Sequence, residues 1–251
     1  MSQPTPFAAD AFAAPDVTLA PSPNREARLG GRAPDLVVLH YTGMRTAQEA
    51  LARLRDASAK VSSHYVIAQT GEVFGLVPEA ERAWHAGVSS WEGQEDVNSR
   101  AIGVELVNPG HPWDGSPEGY APFPDRQMTA LERVLTRVLE QWRLPPSAVV
   151  AHSDVAPGRK IDPGEKFDWL RLARSGLGLG PPHAIARSGE CSWASFRRAA
   201  TEFGYGDWAD EAVLDAFRRR FRPTALARAF EADDIDVMRA VVRVKSQSKH
   251  I

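Results

Sequence analysis

A mixed β-sheet flanked by helices, an α/β class fold, is what the first two thirds of this sequence predict. Three observations carry it: short apolar runs of strand length, helical periodicity between them, and Pro or Gly at their borders. A small unit of three helices is expected to follow.

Residues 1–30 are rich in Ala and Pro and read as an extended lead-in. Leu36–Tyr41 is a buried strand, bounded by Pro34 and Gly43. Thr46 with Glu49 three residues on makes a capping-box pair, and Ala47, Ala50, Leu51 and Leu54 form the apolar stripe of the helix it starts. Ser63–Gln69 and Glu72–Leu76 flank Thr70-Gly71, a hairpin turn. Ile102–Val107 is a further strand. Over Asp125–Arg143, Met128, Leu131, Leu135, Val138, Leu139 and Trp142 recur at steps of three and four, and Pro145-Pro146 lies just past the end. Val149–Ala151 is a short strand that delivers His152. Gly and Pro dominate Ser175–Gly189, a linker composition. Beyond it, Trp193, Phe196, Ala200 and Phe203 mark one short helix. Val213, Leu214, Phe217 and Phe221 mark a second, and Ile235, Met238, Val241 and Val242 a third. The expected division is therefore 1–30 lead-in, 31–175 main domain, 176–189 linker and 190–244 helical domain. The basic tail Lys245–Lys249 is expected to fray, and no internal repeat is present.

Composition excludes several classes. With 43% hydrophobic and 25% charged residues over 251 positions, the chain has ordinary globular usage and is not globally disordered. Thirty Lys+Arg against 32 Asp+Glu leave no basic surplus for nucleic acid. The one concentrated basic run, Arg218-Arg219-Arg220 with Arg222, reads as a solvated helix face. Cys191 is the only cysteine, so neither an intrachain disulfide nor a Cys-rich metal site is available. No apolar run approaches the roughly 20 residues of a membrane span, so no membrane insertion is expected. The first thirty residues lack a basic n-region and are broken by Asp10, Pro15 and Asp16, a poor secretory signal. The expectation is a cytoplasmic protein, with the periplasm as the alternative. No oligomeric state is specified by the pattern.

Chemistry concentrates in His152-Ser-Asp-Val-Ala-Pro-Gly-Arg-Lys160-Ile-Asp162-Pro-Gly, which puts an imidazole, an amine and a carboxylate in one stiff loop. His40 ends the apolar run far upstream. Two His and one Asp are ligands that one Zn²⁺ ion accepts, and a catalytic zinc site keeps its fourth position for water, with a pKa lowered towards about 7. Alone, His40 reads equally as a hydrogen-bonded histidine at a strand end. Glu105 faces away from Ile102, Val104 and Leu106, beside Gly103. A carboxylate in an apolar strand is costly unless paired or chemically used, so it is a general base or a salt-bridged structural Glu. Lys160 is a surface loop lysine or a fixed cation for a developing oxyanion. No Gly-x-Ser-x-Gly elbow exists, and Cys191 lies in the helical appendage, which disfavours a Ser or Cys nucleophile. The set reads as a metal-dependent hydrolase.

These residues also carry a resemblance. Leu39-His-Tyr-Thr42, Ser63-His-Tyr-Val-Ile67, Ala83-Trp-His-Ala-Gly87, Asn98-x-x-x-Ile-Gly-Val-Glu-Leu106 and the His152–Gly164 segment occur in order. Together they resemble the zinc-dependent N-acetylmuramoyl-L-alanine amidases of the AmpD/AmiD type, relatives of peptidoglycan recognition proteins, over residues 30–175. The resemblance implies one zinc held by His40, His152 and Asp162, with Glu105 and Lys160 assisting. It implies cleavage between the lactyl group of N-acetylmuramic (or anhydro-muramic) acid and L-alanine in muropeptides, hence peptidoglycan turnover. His64 and His85 match motif positions that are not ligands, and His111 is left as a histidine without an assigned metal. Trp84 and His85 would line the substrate groove, and Arg100 would meet a peptide carboxylate or pair with an acid. Asn108–Pro124, with Trp113, and Trp91 read as a loop region walling the cleft. Two alternatives stay open: a non-catalytic module that binds wall fragments, and an exported amidase acting on intact sacculi. The C-terminal helices are similar to a peptidoglycan-binding-like domain, for binding fragments or for packing.

Overall fold

The computed structural model describes residues 11–14, 16–112 and 120–248. In chain order these form β1 (Val17–Leu19), β2 (Arg25–Ala27), β3 (Leu36–Tyr41), α1 (Ala47–Arg55), β4 (Tyr65–Ile67), β5 (Val73–Gly75) and β6 (Glu81–Ala83). There follow β7 (Ser90–Trp91), β8 (Gln94–Glu95), β9 (Ala101–Leu106), α2 (Asp125–Trp142), β10 (Val149–Ala151), α3 (His152–Val155) and α4 (Trp169–Arg174). The last helices are α5 (Trp193–Phe203), α6 (Asp210–Phe221) and α7 (Ala232–Ser248).

Six strands make one mixed sheet in the order β1-β5-β4-β9-β3-β10. Only the β4–β5 hairpin, turned at Thr70-Gly71, is antiparallel within it; the other neighbours are parallel. Thr46 caps α1 as the capping box requires: its Oγ1 accepts from the Glu49 amide, and Glu49 accepts from the Thr46 amide, both at 3.2 Å. The sheet buries both faces, as parallel strands do. On one face Val37, Leu39, Ile102, Val104 and Leu106 pack against Leu131, Val134, Leu135 and Val138 of α2. Each such buried Val or Leu contributes roughly 1.5–3 kcal/mol over exposure. The opposite face is shared. Towards β5, Val66, Phe74 and Leu76 are covered by Ala50 and Leu54 of α1. Towards β10, Leu36, Val38 and Val150 are covered by Phe196, Phe203, Phe217, Ile235 and Met238 of α5, α6 and α7. Between those two covers the C-terminal ends of β3 and β9 are left open, and there the chemistry-bearing residues gather.

Five features differ from expectation. Part of the lead-in is built into the fold: β1 pairs with β5, and β2 pairs with β6. Three-residue strands between prolines are too short to show a period. The same brevity hides α4. The basic run on α6 is no solvated face, because Arg218 and Arg220 are each 2% exposed. Arg218 is paired with Asp234 and Arg220 with Asp154, so their charges are compensated inside the protein. Lys245 is not frayed either. It lies buried on α7, and its Nζ donates to Glu92 at 2.6 Å and to the Phe203 carbonyl. Residues 176–189 contain no helix or strand, yet Leu177 and Leu179 are buried, so this stretch is anchored to the core.

Candidate active site

Parallel strands place their useful residues at their C-terminal ends. Here β3 presents His40, β9 presents Glu105, and β10 runs directly into α3, whose first residue is His152. His40 and Glu105 are register partners and share a face of the sheet. The loop after α3 returns Asp162, tied back by the Ser153 amide donating to the Asp162 carbonyl at 3.0 Å. The three side chains converge. His40 Nδ1 lies 2.8 Å from His152 Nδ1 and 3.1 Å from Asp162 Oδ2, and His152 Nδ1 lies 2.9 Å from the same oxygen. The edge of a tetrahedral site with bonds of 2.0–2.1 Å is about 3.3 Å, so the three atoms can hold one metal ion.

Protonation suits that purpose. His152 Nε2 lies 3.1 Å from the Ala86 carbonyl, which only accepts, so the ring hydrogen is on Nε2 and Nδ1 presents a lone pair. Burial, with the neighbouring His152, pushes His40 down to about 4, so it is neutral at pH 7. Burial opposes ionisation of Asp162, but the adjacent His152 and His40 hold its carboxyl well below the usual range. A neutral His40, the Nδ1 of His152 and a carboxylate oxygen crowded together are a donor set that suits a divalent cation.

Glu105 lines the same cleft, and its Oε2 is buried with no hydrogen-bond partner among the described residues. Burial and then the charge of Asp162 push it up to about 8, against the pull of Lys160. A carboxylate oxygen buried without a partner is costly, and Arg100, paired with Asp35 and Glu92, does not relieve it. Lys160 lines this cleft of about 560 Å³, as do Trp84 and His85. Trp84 is held by its Nε1 donating to Glu26 at 2.9 Å. His85, on the wall of the cleft, also sets its Nδ1 3.0 Å from His40 Nε2.

Arg100 is a correction. It is 3% exposed, outside the cleft, and its guanidinium donates to Asp35 at 2.7 and 3.0 Å and to the Trp91 carbonyl at 2.9 Å. It stands just before β9, at the opposite end of the strand from Glu105, so the acid-pairing alternative describes it. Trp91 is also buried away from the cleft, packed on Phe203 and Tyr205. Trp113 lies outside the described residues. His64 is a core histidine: Nδ1 accepts from the Gly103 amide at 2.9 Å and Nε2 faces the Glu81 carbonyl at 3.0 Å.

Some cleft residues were not singled out from sequence. Tyr41 hydroxyl meets His111 Nδ1 at 3.0 Å, while His111 Nε2 meets Glu165, which Arg219 of α6 clamps at 2.6 Å. Arg159 lines the cleft and donates to the Val88 and Ala86 carbonyls. Tyr41 and Arg159 sit beside proposed site residues in the sequence, which was a usable signal; the reach of Arg219 across the fold had none.

Comparison with known proteins identifies the family and the fold. The chain matches the family described as N-acetylmuramoyl-L-alanine amidase over residues 30–165. It is 32% identical to the N-acetylmuramoyl-L-alanine amidase AmiD of Escherichia coli (strain K12) over 84% of this chain and 83% of that protein. It is 38% identical to the 1,6-anhydro-N-acetylmuramyl-L-alanine amidase AmpD of Haemophilus influenzae over 46% of this chain and 59% of that one. Among solved structures, E. coli AmiD in complex with the substrate anhydro-N-acetylmuramic acid-L-Ala-D-γ-Glu-L-Lys superposes with a TM-score of 0.77 at 32% identity, over 89% of this chain and 94% of that one. AmpDh3 from Pseudomonas aeruginosa gives 0.76 at 29% identity, over 88% and 96%.

Proposed function

The chain belongs to the N-acetylmuramoyl-L-alanine amidase family, and on that premise we propose that it is a zinc-dependent hydrolase of the lactyl–L-alanine amide in muropeptides. The observation that carries the reading is the approach of three candidate ligand atoms within 3.1 Å of one another, in one cleft with Glu105, whose Oε2 has no hydrogen-bond partner among the described residues. His40, His152 and Asp162 would hold the zinc, which would supply Lewis acidity and an activated water.

The remaining work falls to this chain's own side chains. Glu105 takes the proton of the attacking water and returns it to the departing L-alanine amine. Burial raises Glu105 to about 8, close enough to neutrality for one carboxyl to accept and then donate. The Lys160 ammonium, in the same cleft, offsets the charge that grows on the lactyl carbonyl oxygen as it becomes tetrahedral. Trp84 forms part of the groove wall for the substrate.

Incubation with anhydro-N-acetylmuramic acid-L-Ala-D-γ-Glu-L-Lys, the compound bound in the E. coli structure, tests the reading. Free peptide should appear, disappear after chelation and return with added Zn²⁺. Binding without cleavage would make the chain a recognition module instead, and cleavage indifferent to chelation would remove the metal from the reaction.

A further inference from the structure

We propose that His85 and Asn98 are positioning residues that fix the tautomers of both imidazole ligands and thereby set the affinity of the metal site. The proposal rests on the reading of His40, His152 and Asp162 as metal ligands.

Two consecutive residues, His85 and Ala86, meet the outer nitrogens of the two imidazoles. His85 Nδ1 is 3.0 Å from His40 Nε2, and the Ala86 carbonyl is 3.1 Å from His152 Nε2. One side chain pins this pair. Asn98, 6% exposed, accepts from the His85 amide at 3.0 Å and the Ala86 amide at 2.8 Å through a single Oδ1. Arg159 also donates to the Ala86 carbonyl. The His85 ring lies on the backbone of Gly103, where an added Cβ would stand 2.5 Å from the ring. Any other residue at 103 would push His85 off His40.

The hydrogen bookkeeping then follows. For His40 to turn its Nδ1 lone pair towards His152 and Asp162, its Nε2 must carry the hydrogen and find an acceptor. His85 Nδ1 is the partner given to that nitrogen among the described residues. His85 consequently carries its own hydrogen on Nε2, a buried atom with no partner among the described residues. Leaving such a donor unpaired costs on the order of 1–3 kcal/mol. A free-standing core histidine would turn to satisfy it. This one is held by Asn98 and Gly103 with the other nitrogen against His40. Outer partners of ligating histidines set orientation and basicity, and their loss costs about 10–100-fold in metal affinity.

The test compares the intact chain with His85→Phe, which keeps a ring but removes the acceptor, and with His85→Gln, which restores an acceptor oxygen. Zinc affinity is read by competition with a chromophoric chelator, and cobalt substitution reports ligand geometry in the visible spectrum. Affinity should weaken about 10–100-fold in His85→Phe and stay within about threefold of the intact chain in His85→Gln. Thermal melting of the metal-free proteins separates this loss from a loss of fold. Asn98→Ala should weaken zinc as well; should it fail to fold, the His85 pair decides. Unchanged zinc affinity in His85→Phe overturns the proposal, and so does an equal loss in Phe and Gln variants. An intact chain that binds no zinc overturns the ligand assignment along with it.

Discussion

At Glu105, stability and chemistry pull in opposite directions. Its folded value of about 8 stands above the ordinary 4.5, so between these pH values the metal-free folded chain holds a proton that the unfolded chain has released. Stability from this group is therefore complete below about pH 4.5 and is lost as pH rises through about 8. Glu105→Gln removes the ionisation. The metal-free variant should gain on the intact protein as pH rises, by on the order of a few kcal/mol at pH 9. Urea unfolding at pH 5, 7 and 9 reads the gap, and parallel pH curves for the two proteins would contradict it. Turnover should fall about 10²–10⁴-fold in the same variant, with zinc still bound. Such a trade of stability for function is the pattern expected at a working site. The alternation of Ile102, Val104 and Leu106 already exposed Glu105 as an anomaly in the sequence. Arg100 was open there between two partners, because one arginine two residues before an apolar run does not reveal which acid it will face.

At the scale of an element, α6 joins the helical segment to the site. Residues two apart on a helix point about 200° from one another. Arg218 accordingly reaches Asp234 of α7, while Arg220 reaches Asp154 of α3 at 2.6 Å. Arg220 also donates to the Leu179 and Val149 carbonyls and lies over the Trp169 ring. Asp154, fully buried, accepts from the Tyr205 hydroxyl at 2.8 Å and the Ala151 amide at 2.9 Å. The turn that starts with His152 is thus fixed from the opposite end of the chain. Arg220→Ala leaves Asp154 buried without its cation and should cost about 3–5 kcal/mol. Arg219→Ala removes partly exposed pairs with Glu165 and Asp215 and should cost about 1 kcal/mol or less for each. Urea midpoints of the two variants provide the comparison, and equal losses would contradict the assignment. This arrangement was illegible beforehand: consecutive arginines look alike in a sequence, and only the tertiary fold supplies a carboxylate for each.

For the molecule as a whole, the helical segment and the sheet share one apolar core. A chain ending after Gly180 would uncover Leu36, Val38 and Val150, which α5, α6 and α7 now bury. It should lose its cooperative melting transition and scatter light as it aggregates; a soluble truncated chain with an unchanged Tm would show that the segment is dispensable for folding. What the sequence made legible was local and periodic: β3, the capping box of α1, the β4–β5 hairpin and α2. The lead-in strands β1 and β2, α4 and the burial of Lys245 were not, since each depends on partners distant in the chain. The candidate ligand set was legible because its members end apolar runs or sit in one stiff loop, a placement that the fold converts into convergence. That convergence is the central claim, and elemental analysis of the purified chain beside Asp162→Ala tests it most directly. The account predicts one zinc per intact chain and a substoichiometric trace in the variant; an intact chain without zinc, or a variant that retains it in full, would contradict it.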